Sequence, residues 1–284
     1  MTDLKSAGAT IIDAWAQPAM AGGMGRMLPT IQRLFKQSGA AQLLERGLTP
    51  AETVHAMDRA GVAKVLLTAW CGPQGWIFSN DDVAAVVREF PQRFVGVACV
   101  PLDQPMAAVR ELDRAVNELG FVALRVLPWL WNRPLNDRYY FPLYVRCIEL
   151  GIPFCAQVGH TGPLMPSEPG RPIPYLDEVA LAFPELKIVG GHIGYPWTDE
   201  MIALAWKHEN VFIDTSAYLP RYYPSQLVHF MKTYGRDKVL FATNFPMLSF
   251  EKCAEQVQDL GLSPEIEAKF LHENARRVFR LEPA

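Results

Sequence analysis

Two histidines stand in matching positions, in "QVGHTGP" and "IVGGHIGYPW", where an apolar run gives way to glycine and a loop. An imidazole at such a junction can hold a divalent cation, move a proton, or only satisfy neighbouring polar groups. Two in equivalent places favour a functional role for His160 and His192, because adjacent strands lie about 4.8 Å apart and let both rings approach one ion or one substrate. Other polar or aromatic residues occupy the same kind of junction: Asp13, Trp15 and Gln17; Trp70; Arg125; Asp214, Thr215 and Ser216; and Asn244. The planar fork of Arg125 suits a substrate carboxylate, and equally suits a neighbouring acid such as Asp13. Asp214 and Ser216 are candidate substrate contacts, although Asp, Thr and Ser also serve as turn and cap residues at strand–helix junctions. Trp70, Trp129, Trp131 and Trp197 could line an aromatic pocket or pack loops together. His55, His208, His229 and His272 fall within helical patterns, where packing or solvent-facing roles are expected.

The elements that must position these residues alternate regularly. "ATIIDAW" precedes "TPAETVHAMDRAGV", which opens with a Thr cap, a Pro in the first turn and Glu three residues after the cap. "AKVLLTAW" precedes "SNDDVAAVVREFP", "RFVGVACVP" precedes "QPMAAVRELDRAVNELG", and "FVALRVLP" precedes "NDRYYFPLYVRCIELG". Four more units follow, with strands "IPFCAQVG", "LKIVGGH", "NVFIDTS" and "DKVLFATNF". Eight near-continuous apolar strands, each followed by a helix and lacking polar alternation, predict a closed parallel (β/α)8 barrel buried on both faces. A doubly wound open sheet is disfavoured, because "DAWAQP" stands where a Gly-rich phosphate turn would follow the first strand. Residues 16 to 48 read as an insertion carrying one helix, and 127 to 137 and 161 to 172 as proline-rich connections. In a barrel these cover the C-terminal mouth, where chemistry resides.

Composition narrows the function. The 284 residues carry no evident linker or repeat, and a single domain over 1–284 fits a barrel of about 250 residues plus insertions. The net charge of -3 lacks the basic excess of a nucleic-acid binder. No apolar run approaches the roughly 18 residues of a spanning helix. The opening "MTDLKSAGAT" has no apolar leader stretch, so a cytoplasmic protein is expected. Cys71, Cys99, Cys147, Cys155 and Cys253 have no metal-binding spacing and are expected to be buried free thiols.

In this order, "IIDAWAQP", "HTGP", "FPELKIVGGHIG", "NVFIDTSAY", "KVLFATNFPM" and "FLHENARRVFRL" resemble the amidohydrolase superfamily, specifically its amidohydrolase-2 branch, over almost the whole chain. The branch includes aminocarboxymuconate-semialdehyde decarboxylase, resorcylate decarboxylases and related hydrolases. The resemblance implies one divalent metal held by an HxH pair on strand one, a histidine on each of strands five and six, and an aspartate on strand eight. His160 and His192 match, whereas Trp15 and Gln17 stand at the HxH positions and Asn244 at the aspartate. An indole offers no lone pair to a metal, and a neutral amide does not offset a divalent charge. The expectation is therefore a degenerate site without a cofactor, or with a Zn, Mn or Fe ion held weakly by His160 and His192. The implied function is hydrolysis or decarboxylation of a small cyclic or aromatic carboxylate. His160 or His192 would then act as acid/base, Arg125 as carboxylate anchor, and Asn244 with Gln17 as polarising amides. Trp15, Trp70, Asp214 and Ser216 complete the expected substrate contacts. The competing expectation is a non-catalytic or accessory subunit beside a metal-complete, amidohydrolase-like chain, one form of which is a di-iron oxygenase. A homodimer or a mixed oligomer of related barrels is expected.

Overall fold

The structure, a computed structural model, describes residues 10–282. Most of the opening segment on which the localisation expectation rests lies outside them. Among the described residues ten strands form: β1 (Ile11–Ala16), β2 (Val62–Thr68), β3 (Trp70–Gly72), β4 (Gly75–Phe78), β5 (Phe94–Val97), β6 (Leu124–Val126), β7 (Phe154–Gln157), β8 (Ile188–Gly191), β9 (Val211–Asp214) and β10 (Val239–Leu240). All except β3 and β4 belong to one parallel wall. β1, β2 and β5 pair in that order, and β6 through β10 pair consecutively. The two sets join through a bridge between Ala98 and Leu124, and close through a bridge between Ala16 and Phe245. Ala14 N also donates to Phe241 O at 3.0 Å across the closing seam. The chain is thus a (β/α)8 barrel, and no helix among the described residues is long and apolar enough to cross a membrane.

Burial on both faces explains the unbroken apolar runs. All six residues of β1 are buried, inward and outward alike, because helices cover the side of the sheet that does not face the barrel axis. The Thr49–Glu52 capping box forms as expected and opens the helix Pro50–Ala60, which Gly61 ends in the left-handed conformation. All five cysteines are buried and free.

Two local expectations are corrected. Trp70 does not end a barrel strand. β2 stops at Thr68, and Trp70 lies on β3, which pairs antiparallel with β4 as a hairpin over the mouth. Gly75, at φ +102°, turns the hairpin, and alternation too short to register in the sequence hid it. The insertion carries three short helices, Ala21–Met24, Pro29–Gln37 and Gln42–Arg46, where one was expected. Its ends are pinned by a Met20–Gly47 bridge. A Cβ on Gly47 would lie 2.3 Å from the backbone nitrogen of Ala21.

At the end of β8, Gly191 lets two anchored side chains meet the backbone. A Cβ there would lie 2.6 Å from the Trp15 ring and 2.9 Å from Asp214 Oδ2. Neither neighbour has room to retreat, so Gly191→Ala should lower the unfolding free energy by about 1–3 kcal/mol. Urea unfolding with an unchanged m-value checks this, and an unshifted midpoint would contradict the packing described.

Candidate active site

The C-terminal ends of the strands open into a cavity of about 690 Å³. Its floor is built from strand-end residues: Trp15 and Gln17 from β1, Gln157 from β7, His192 after β8, and Asn244 after β10. The walls are mainly apolar. Phe35 comes from the insertion, Trp70 from the hairpin, and Trp129 from the connection after β6, with the Trp70 and Trp129 rings edge-to-face at 6.4 Å. No Asp, Glu, Lys or Arg lines the cavity among the described residues.

His192 sits where β8 breaks, at φ +66°. Its Nδ1 is 2.6 Å from Ser216 Oγ, and that hydroxyl in turn donates to Asp214 Oδ1 in a close contact. A serine hydroxyl has one proton. Given to Asp214, it leaves Ser216 Oγ only able to accept, so the proton of a neutral His192 resides on Nδ1 and Nε2 keeps a bare lone pair. Burial, then the positive charge of Arg125, then His160, pushes the His192 pKa down to about 3, so the ring is neutral. Burial raises the Asp214 carboxyl above its usual range, against the opposing pull of Arg125. Asp214 and Ser216 do not line the cavity: rather than touching substrate, they stand behind His192 and orient it.

Arg125 is also corrected. It is 1% exposed and lies beneath the cavity floor, its guanidinium carbon 3.6 Å from the centre of the Trp15 ring. Its Nη2 donates to Ala14 O at 2.7 Å and its Nη1 donates to Thr68 Oγ1 in a close contact. Trp15 therefore separates it from any substrate carboxylate. Nor does it bond Asp13, whose oxygens accept from Thr243 Oγ1 at 2.5 Å, Thr243 N at 3.1 Å and Trp15 N at 3.0 Å. Burial raises the Asp13 pKa to about 7. Trp15 keeps one edge in the cavity and meets the His192 ring at 5.0 Å. Trp131 is buried away from the cavity, and Trp197 packs under Arg171.

His160 reaches the cavity from a loop. β7 ends at Gln157, and His160 follows three residues later, exposed, with its N–H donating to Tyr195 O at 2.6 Å and its ring 5.9 Å from that of Tyr195. The strand-end place expected for His160 belongs to Gln157, which pairs in register with Gly191 beside His192. Gln157 Oε1 accepts from Trp129 Nε1 at 2.7 Å. Gln17 Nε2 donates to Asn244 Oδ1 at 2.9 Å.

This floor does not fit a tightly held divalent cation. Its donors are one imidazole and three amides, none anionic, and the amide oxygens of Gln157 and Asn244 are already hydrogen-bonded. Among the described residues no cluster of three His, Cys, Asp or Glu side chains could hold an ion.

A closed parallel barrel with strand-end polar groups around an apolar cavity defines the class: a (β/α)8 barrel with the site architecture of an enzyme. The amidohydrolase family model matches residues 12–281, and the chain belongs to that family, in its amidohydrolase-2 branch. Gamma-resorcylate decarboxylase of Polaromonas sp. strain JS666 is 26% identical over 252 residues, 72% of this chain and 75% of that protein. An uncharacterised TIM-barrel protein of Bordetella bronchiseptica superposes with a TM-score of 0.82 at 25% identity, over 95% of this chain and 98% of that one. A dihydroxybenzoic acid decarboxylase of Polaromonas sp. JS666, crystallised with manganese and the inhibitor 2-nitroresorcinol, shares the fold with a TM-score of 0.70 at 22% identity, over 98% of each chain.

The depressed His192 pKa has a thermodynamic consequence. The unfolded chain binds the proton near 6.5 and the folded one near 3, so this group's contribution to stability is present above about 6.5 and is lost as pH falls toward 3. Asp13, raised to about 7, acts with the opposite sign, so the comparison must isolate His192. Between pH 7 and pH 4, wild type should lose on the order of 3 kcal/mol more than His192→Gln. Urea unfolding of both proteins at both pH values measures it; equal losses would show that His192 is not buried in its neutral form.

Proposed function

We infer that the chain is a carboxy-lyase for a small aromatic or cyclic carboxylate, working without a tightly held divalent ion. The observation that carries this reading is the neutral, aromatic-walled cavity with a tautomer-locked imidazole at its floor. The gamma-resorcylate decarboxylase relative supports the substrate class. Decarboxylation is favoured over hydrolysis because a carboxylate in an apolar cavity with no cation in its lining is poorly solvated, and losing CO2 disperses its charge.

The reaction needs a proton delivered to the ring carbon that carries the carboxylate. The carbon–carbon bond then breaks, its electron pair stays with the ring, and CO2 departs. His192 Nε2 carries a bare lone pair at rest, so it relays that proton rather than storing it: it takes the proton from solvent entering the open cavity and, as an imidazolium made strongly acidic by burial, passes it to the ring carbon, the net proton coming from water. Asn244 and Gln157 amide protons face substrate oxygens, Trp15, Trp70 and Trp129 hold the ring, and His160 stands at the entrance. The degenerate ligand set also suits an accessory subunit, whose partner would be a related barrel chain.

The test is CO2 release by the purified chain from a panel of hydroxylated and plain benzoates after prolonged chelation. Turnover should persist, and His192→Gln should lower kcat at least about 100-fold, the range of a lost acid/base group. Activity abolished by chelation and restored by stoichiometric manganese would overturn the metal-free reading. An unchanged kcat in His192→Gln would remove His192 from the chemistry. Turnover appearing only when a second amidohydrolase-family chain is added would assign the accessory role.

A further inference from the structure

The cavity is larger than its floor requires. It holds about 690 Å³, whereas a closed apolar hole of about 150 Å³ already accepts a benzene ring. A single ring seated on Trp15 beside His192 therefore leaves about three quarters of the space to water or to the rest of the ligand. The lining also divides by depth. Trp15, Trp129, Gln157 and His192 are buried, while Tyr195 is 45% exposed and Tyr222 61% exposed, so the tyrosines stand at the outer end.

Two walls build that outer part. One is a face of the helix Pro29–Gln37 in the insertion, where Ile31, Leu34 and Phe35, three and four residues apart, all line the cavity. Arg33 of the same helix donates to Gly162 O at 2.8 Å, and a Cβ on Gly162 would lie 3.0 Å from Leu34 Cδ1, so the helix is held against the loop that carries His160. The other wall is a run of rings. Tyr195, after β8, lies 5.9 Å from the His160 ring and 5.7 Å from that of Tyr218, which follows β9. Tyr222 lines the cavity too, with the Arg221 guanidinium carbon 4.8 Å from its ring centre. Uncharged aliphatic and phenol surface of this kind gains free energy when a flat apolar group covers it, and the tyrosine edges and faces favour another aromatic ring. Floor and outer part are one cavity. A second ring joined to the first adds its burial without a second loss of translational freedom.

We propose that the outer part of the cavity is a second ring subsite, and that the substrate is a two-ring acid. Its carboxylate-bearing ring lies on the floor, and its other ring lies among Leu34, Tyr195, Tyr218 and Tyr222. The inference rests on the cavity being a site for ring acids and deepens that reading by fixing the size and the apolar reach of the acid. Tyr218 and Tyr222 touch the second ring and not the reacting carbon, so they set specificity without entering the chemistry.

Isothermal titration calorimetry of the purified chain compares benzoate, the three isomers 2-, 3- and 4-phenylbenzoate, and uncharged 4-phenylphenol. The isomers differ in the direction in which the second ring leaves the first. At least one should bind about tenfold or more tightly than benzoate, the gain expected from covering the apolar surface of a phenyl group. Tyr218→Ala and Tyr222→Ala should each reduce that ratio, and the double variant should bring it below about threefold. A thermal melt confirms that the variants fold; Tyr222→Ala, at an exposed position, carries the test by itself if the Tyr218 variant does not. No isomer exceeding benzoate, or an advantage unchanged in the variants that fold, overturns the proposal while leaving the ring-acid reading intact. Tyrosine-dependent binding of 4-phenylphenol, as tight as that of the best acid, supports the subsite and overturns the carboxylate reading. Binding of none of the five compounds overturns both.

Discussion

A guanidinium stacked under an indole organises the centre of this barrel. Burying Arg125 is costly unless its protons and its charge find partners, and the fold supplies the Ala14 carbonyl, the Thr68 hydroxyl and the face of Trp15. Its field also favours ionisation of Asp214, against the burial of that carboxyl, and disfavours a proton on His192. With Trp15 fixed on the guanidinium, its ring meets His192 and its backbone carbonyl holds Asn244. The shape of the floor and the protonation state of its imidazole thus depend on the same stack.

The guanidinium and the ionisable acids of the site are kept out of the cavity. Arg125, Asp13 and Asp214 lie in the layer below, while the surface offered to a ligand is indole, amide and neutral imidazole. In such a setting hydrogen bonds discriminate well, because each buried donor or acceptor left unpaired carries its full desolvation cost. The Asp214–Ser216–His192 chain acts across the boundary between the layers. Its carboxyl end is buried, its hydroxyl relays orientation, and its imidazole alone faces the ligand.

The chain shares its barrel fold with a protein crystallised with manganese, and the donors on its own floor can be weighed for such an ion. The positions around the floor remain polar and convergent, yet Trp15, Gln17, Gln157 and Asn244 offer no anion. The oxygens of Asn244 and Gln157 accept from Gln17 and Trp129, which occupies two of the three amide oxygens that coordination could use.

The sequence by itself determined the barrel, because strands buried on both faces must be written as continuous apolar runs and eight such runs alternate with helix signals. It also determined the residue types of much of the floor, since Trp15, Gln17, His192 and Asn244 fall at or just beyond the ends of those runs. Tertiary structure decided which residues share the cavity. Arg125 sits at the correct strand but points into the layer beneath Trp15, and a strand's letters do not say how deep a long side chain is covered. Gln157 took the place expected of His160 because the strand stops where its ladder partner Gly191 stops, a limit imposed from the neighbouring strand. Trp70 moved to a hairpin for the same kind of reason. The orientation of each amide and the tautomer of His192 depend on atoms brought together across the closing seam and between adjacent strands, contacts that exist only once the barrel has formed.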